Sequence, residues 1–443
     1  MNENKTVGGD GGGQEAAPGS PGKSQPGIII YLPTRWLLAL VVLQFALLVG
    51  PTLLNWPASR PVPPPGLVPA APPAAGDDAT LFFKGRPGPW GQLEYVRINV
   101  EQPDEFVPVD DREFEPTRWH FLNYTRAQLT ALFNACDLTP AQRAFLADPS
   151  NWQGATNGIF VTPPSELILE LNPQARMQIY SVLAESEENP GHVWPATFRN
   201  GGFDEWFRHS GLPDATVATI RNLTYARGAS LCFADVPELF NRMRSRPEER
   251  RLMMKTLSRQ STLLMKLRVK PDTDVAALTA YWSRGGRAKD VGPLLESLRK
   301  VPGGASVDVA HLLPPFARKR LNTYPFPPTD EKLPLPDCFW TAMNFFNEPP
   351  DDRHFNDTIW RKELEEDYTQ VAEATFGDLI LFLRADGSPM HAAVHIADDV
   401  VFTKNGGSLS QPWILMKLED MLAKYPTIAP MRAVIFHSKK RTT

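Results

Sequence analysis

Hydrophobic and polar positions divide the chain into stretches with different periods. The first 33 residues hold glycine and small-residue runs, at 8–13 and 16–22, with too little apolar surface to offset the entropy of ordering, and they predict a disordered tail. From Trp36 to Leu54 the residues carry no charge and one amide, Gln44. Those 19 residues span roughly 28 Å as a helix, close to the hydrocarbon thickness of a bilayer. Trp36 and Trp56 mark the two ends, as interfacial tryptophans do. The pattern predicts a single transmembrane helix over 34–56. A stalk over 57–80 follows, stiffened by proline and alanine.

Further along, apolar residues recur at helical spacing. Leu129, Leu132, Phe133 and Cys136 follow Thr125, and Thr139-Pro140 reads as an N-cap with proline at the first helical position. Ser165 opens a run through Leu167, Ile168 and Leu171, which Met177, Ile179, Tyr180 and Leu183 continue. Pro247-Glu248-Glu249 opens a basic amphipathic stretch with Leu252, Met253, Leu257, Leu263, Leu264 and Leu267. These spacings predict a mostly helical region over 81–320, with the Arg and Lys residues between Arg242 and Lys270 as its solvated face. The loop Ser283-Arg284-Gly285-Gly286-Arg287 carries glycines and arginines without the preceding strand and following helix of a phosphate loop.

The last stretch, 321–443, reads as α+β. Asp337 is a good N-cap for the apolar run Cys338-Phe339-Trp340-Thr341-Ala342-Met343, and a second helix is predicted over 357–371. Leu379-Ile380-Leu381-Phe382-Leu383, His391-Ala392-Ala393-Val394-His395-Ile396, Val400-Val401-Phe402-Thr403 and Arg432-Ala433-Val434-Ile435-Phe436 read as strands, and 411–425 as a helix. The expected fold class is therefore α+β: an N-terminal transmembrane helix, a mostly helical middle, and a C-terminal helix packed on an antiparallel sheet.

Composition narrows the partners. Lys and Arg total 46 against 50 Asp and Glu, a balance of −4, which argues against a broad nucleic-acid surface. Three cysteines, Cys136, Cys232 and Cys338, allow one bridge at most, and a Cys136–Cys232 pair is open outside the cytoplasm. The histidines His120, His192, His209 and His311 show no metal spacing, so neither a metal nor a cofactor is expected. Lys5, Lys23 and Arg35 precede the apolar span and only Arg60 follows closely, which places the N-terminus in the cytoplasm and the bulk of the chain outside the cytoplasmic membrane.

The candidate chemistry lies in the last stretch. A thiol in the first turn of a helix meets unpaired backbone N–H groups and the positive helix end, both of which favour thiolate. His391, Ala393 and His395 alternate onto one face of their strand, where an imidazole can take a thiol proton while a third polar group fixes its tautomer. Asp337-Cys338 at a helix start, Gly377-Asp378-Leu379-Ile380, and His391-Ala392-Ala393-Val394-His395, in that order, resemble the motifs of the NlpC-type cell-wall endopeptidases, a bacterial branch of the papain-like cysteine peptidases.

The resemblance implies Cys338 as nucleophile and His391 as general base and acid. It places the ring-orienting residue at Thr403 or Asn405, with Tyr324 and His395 on the substrate side. It also implies a membrane-anchored envelope hydrolase cleaving an amide bond, with peptidoglycan peptides as substrate. Phe339-Trp340 stand where the family has Ser-Gly, which keeps open an inactive NlpC-like binding or scaffold module. A stalked transferase of the secretory pathway fits the layout and the acceptor patterns at Asn123, Asn222 and Asn356, but no Asp-x-Asp pair accompanies them.

Overall fold

Residues 92–100 alternate, with Leu93, Val96, Ile98 and Val100 separated by polar or aromatic positions, and this drives a nine-residue strand, Gln92–Val100. Its partner is Gln260–Val269, paired antiparallel along the whole length from Gln92 opposite Arg268 to Val100 opposite Gln260. Phe83–Lys84 and Ala305–Asp308 flank this pair to complete a four-stranded sheet. The computed structural model describes residues 82–107, 114–228, 230–330, 332–427 and 431–441.

Two small sheets follow, each of three strands. Trp119–Leu122, Gly158–Val161 and Trp152–Ala155 form one, and Ala196–Arg199, Ser230–Phe233 and Tyr225–Arg227 the other. Short helices pack around them. Arg126–Ala135 and Pro140–Leu146 start at Thr125 and Thr139, and each threonine forms a reciprocal capping box with the glutamine three residues on. Arg176, fully buried, is paired with Asp235, whose carboxylate also accepts the Tyr180 hydroxyl at 2.6 Å.

The C-terminal sheet has six strands in the order Tyr368–Val371, Arg432–Ser438, Leu379–Leu383, Pro389–Ala397, Val400–Lys404 and Trp413–Lys417, with neighbours antiparallel. Its central strands are buried on both faces, which explains their continuous apolar sequence. Helix Cys338–Met343 covers one face. Trp340, Ala342 and Met343 share a core there with Ala392, Val394, Phe402 and Leu415. The short helix Leu418–Leu422 and Tyr425 cover the other face, against Ile380, Phe382, Ala393, Val401 and Ile414. The first of these cores continues without a break into the long strand pair Gln92–Val100 and Gln260–Val269 through Leu93, Met265 and Leu267.

The molecule is mixed α+β, and the expected fold is corrected. Among the described residues, the region expected to be mostly helical supplies three of the four sheets. Leu263 and Leu267 fit a helical spacing, but Leu263, Met265 and Leu267 also alternate, and the nine-residue ladder to Gln92–Val100 decides for a strand. The basic stretch accordingly splits into helix Pro247–Leu257 and strand Gln260–Val269. Segment 411–425 is likewise strand Trp413–Lys417 before helix Leu418–Leu422, and 357–371 is helix Asp357–Asp367 before strand Tyr368–Val371. The expected tail, transmembrane helix and stalk lie outside the described residues. Among the described residues, no helix is long and apolar enough to cross a membrane.

Candidate functional site

Asp337 caps helix Cys338–Met343 with Oδ1 accepting the Trp340 backbone N–H at 2.8 Å. Cys338 is therefore the first helical residue, and it is 6% exposed. Its side chain shares a stripe with Ala342 and Phe345, toward the sheet face carrying Ala392 and Phe402. The Ala392 backbone N–H donates toward the sulfur. Burial and the adjacent Asp337 charge nevertheless outweigh that donor and the helix-start amides, and the thiol is pushed up to about 12. A thiol at that value is overwhelmingly protonated at neutral pH.

His391 belongs to the opposite side. It alternates with Ala392, so its ring lies with Ala393 among the residues covered by Tyr425. The Tyr425 hydroxyl bonds Nδ1 at 2.7 Å and the Thr403 hydroxyl bonds Nε2 at 2.8 Å. A neutral imidazole offers one donor and one acceptor, so both are used. Complete burial pushes His391 down to about 3. Among the described residues no hydrogen bond joins Cys338 to His391.

The remaining predicted residues separate. Thr403 does bond the histidine ring, whereas Asn405 instead donates to the Met416 sulfur at 3.4 Å. His395 Nε2 meets the Asp398 carbonyl at 3.1 Å, and its ring stands edge-on to Trp90. Tyr324 is held above the usual phenol range by burial, with the Glu101 charge adding to it. The three cysteines are free and buried, with no bridge between Cys136 and Cys232.

Two further residues join the cluster. Tyr425 follows helix Leu418–Leu422 and reaches a histidine 34 positions back, a pairing that no local pattern encodes. Burial, with Cys338 and then Asp337 adding to it, holds its hydroxyl well above the usual phenol range. Tyr425 is thus within electrostatic reach of the thiol and occupies the ring nitrogen the thiol would need. Lys404, on the Cys338 side of the sheet, donates to the Gly406 and Ser408 carbonyls at 2.6 and 3.0 Å and is fully buried. Burial pushes its ammonium down to about 8 against the pull of Asp337 and Cys338. A charged residue inside a strand, between Thr403 and Asn405, was the available sequence signal.

Asp378, the acidic residue of the Gly-Asp-Leu motif, is a latch. It accepts the Thr375 backbone N–H at 2.8 Å and is paired with His437 Nδ1 at 2.9 Å and Arg284 at 3.1 Å. Arg284 also bonds the Phe376 carbonyl at 2.8 Å, so the glycine-arginine loop spends that guanidinium on the protein itself. Gly377 has φ +84°, and a Cβ there would meet the Phe346 ring, which fixes glycine at the strand entry.

Among the described residues, no group of three or more His, Cys, Asp or Glu side chains is placed to hold a metal. No family model, curated protein or solved structure matches the chain.

Proposed function

We propose that the cysteine helix and the C-terminal sheet act as a non-catalytic binding or scaffold module, NlpC-like in its motifs and without hydrolase activity. One observation carries this reading: both ring nitrogens of His391 are bonded, to Tyr425 and Thr403, on the sheet face away from Cys338. Thiolate-imidazolium chemistry needs a lowered thiol and a ring free to take its proton. Here the thiol is pushed up to about 12 and the ring down to about 3, so both are neutral at physiological pH. The resemblance suggests cell-wall peptides as the ligand class.

A second reading is favoured by the placement of Cys338 at a capped helix start with the Ala392 N–H aimed at its sulfur. In that reading Tyr425 blocks a latent hydrolase. Once it is displaced and the His391 ring turns from its sheet face to within reach of Cys338, His391 takes the thiol proton, the thiolate attacks an amide carbonyl, and His391 passes the proton to the departing amine and then activates water.

One experiment separates the two. The native protein, treated with a chloroacetamide probe, is expected to label poorly at Cys338 until unfolded, while soluble peptidoglycan fragments bind measurably by calorimetry. Tyr425→Phe leaves that labelling slow if the module is non-catalytic. Rapid labelling in Tyr425→Phe, lost again in the Tyr425→Phe/Cys338→Ala double variant, would establish the latent hydrolase instead.

A further inference from the structure

A small cleft opens where the long strand pair Gln92–Val100 and Gln260–Val269, the sheet strand Ala196–Arg199 and the segment around Leu418–Leu422 meet. Arg97, Arg199, Glu205, Asp420 and Lys424 give it its charge, Trp206 lines it, and its volume is about 30 Å³. By the usual allowance of 10–15 Å³ per water, that is room for about two waters, the size of one carboxylate group.

The charges are mostly spent on one another. Arg97 pairs with Asp420 at 2.6 Å, and Arg199 reaches the other oxygen of the same carboxylate at 3.3 Å. Glu205 lies 3.8 Å from Arg97 and 3.4 Å from Arg199. Two arginines and two carboxylates therefore cancel, and one charge is left, the Lys424 ammonium. Its nitrogen stands 4.3 Å from the centre of the Trp206 ring. Among the described residues it makes no hydrogen bond and no ion pair.

The other polar groups of the lining also have donors to spare. Ser261 donates to Asn99 Oδ1 at 2.8 Å, which leaves the Asn99 amide NH₂ without an acceptor. Among the described residues the Thr197 hydroxyl has no hydrogen-bond partner, and it lines the same cleft. A cleft with a surplus cation and two unspent neutral donors complements an oxyanion, although among the described residues Glu205 keeps Oε1 without a partner while Oε2 meets both arginines.

We propose that this cleft binds the carboxylate group of a small organic acid. Lys424 supplies the opposing charge, Asn99 and Thr197 supply donors, and Trp206 forms an apolar wall against the ligand's carbon skeleton. Burial pushes Lys424 down to about 8, against the pull of Asp420, and a bound carboxylate would raise it again. The site is independent of the cysteine cluster, and none of its donors take part there.

The test follows the ammonium itself. The whole protein is acylated with a limiting amine reagent, and the rate at Lys424 is compared by mass spectrometry with that at Lys300, which is 73% exposed. Acetate, at constant ionic strength with chloride as balance, is expected to slow Lys424 acylation saturably, by about ten-fold near ten times the dissociation constant, and to leave Lys300 unchanged. Acetate should also raise the melting temperature of the wild type and not that of Lys424→Met. A Lys424 rate indifferent to acetate overturns the proposal. So does protection by inorganic phosphate alone, which would assign the cleft to a phosphoryl group. The acylation arm uses the wild type only, so the result stands even if Lys424→Met fails to fold.

Discussion

His391 has no exposure and both ring nitrogens bonded, and its burial disfavours a second proton. His192 is also buried, and burial, with the nearby Arg227 charge adding to it, pushes it down to about 3, as burial alone does for His391. Both folded-state values lie below the ordinary 6.5, so on acidification the unfolded chain takes up these protons first. The stability the neutral rings supply is fully present above about pH 6.5 and is lost as pH falls toward about 3, at about 1.4 kcal/mol per pH unit for each ring. Urea midpoints are therefore expected to fall between about pH 7 and pH 5. In His391→Gln, which retains one donor and one acceptor, the pH slope should be shallower by one ring's share. An unchanged slope would mean that His391 carries its proton in the folded protein.

Helix Cys338–Met343 has only six residues, so its direction depends on its cap and on the two aromatic contacts that hold its flank. Phe339 stacks on Trp360 with centroids 4.6 Å apart, and Trp340 on Phe355 at 5.3 Å. Asp337→Ala removes the oxygen that accepts the Trp340 N–H and is expected to cost about 1–2 kcal/mol in chemical denaturation. Asp337→Asn keeps that acceptor and should recover most of the loss. If the asparagine variant is as unstable as the alanine one, the carboxylate charge beside Lys404 is the stabilising feature, not the cap. This cap was legible in the sequence because the signal is local, an Asp directly before an apolar run. Leu379–Leu383 and Val400–Lys404 were legible as strands because burial on both faces leaves a short unbroken apolar run between turn residues. The same property hid Trp413–Lys417, whose run has no period and merges with the following helix. For the cysteine–histidine pairing, spacing alone says less. Spacing places two residues on neighbouring elements, but the two-residue period of the strand decides which face each side chain meets. Ala392, not His391, faces the cysteine helix.

At the scale of the molecule, the described residues belong to one compact unit. The core beneath the cysteine helix runs on into the long strand pair, so Leu93, Leu267, Trp340 and Leu415 share one apolar interior. Polar ties cross the same boundary. Thr262 bonds the Leu415 carbonyl at 3.1 Å, Arg86 pairs with Asp398 at 2.6 Å across 312 positions, and Arg97 pairs with Asp420. A fragment of 321–443 alone would expose the side of its sheet that faces the long strand pair, losing about 25 cal/mol for every Å² of apolar area returned to water, with no compensating partner for these polar groups. Residues 75–443 are therefore expected to melt in one cooperative transition by calorimetry. The fragment 321–443 should show no such transition and should bind a hydrophobic dye. Adding separately made 75–320 to it should restore part of the transition, because the surfaces involved are complementary. A fragment 321–443 that melts cooperatively by itself would show that the shared core is dispensable, and that the C-terminal sheet carries its own folding information.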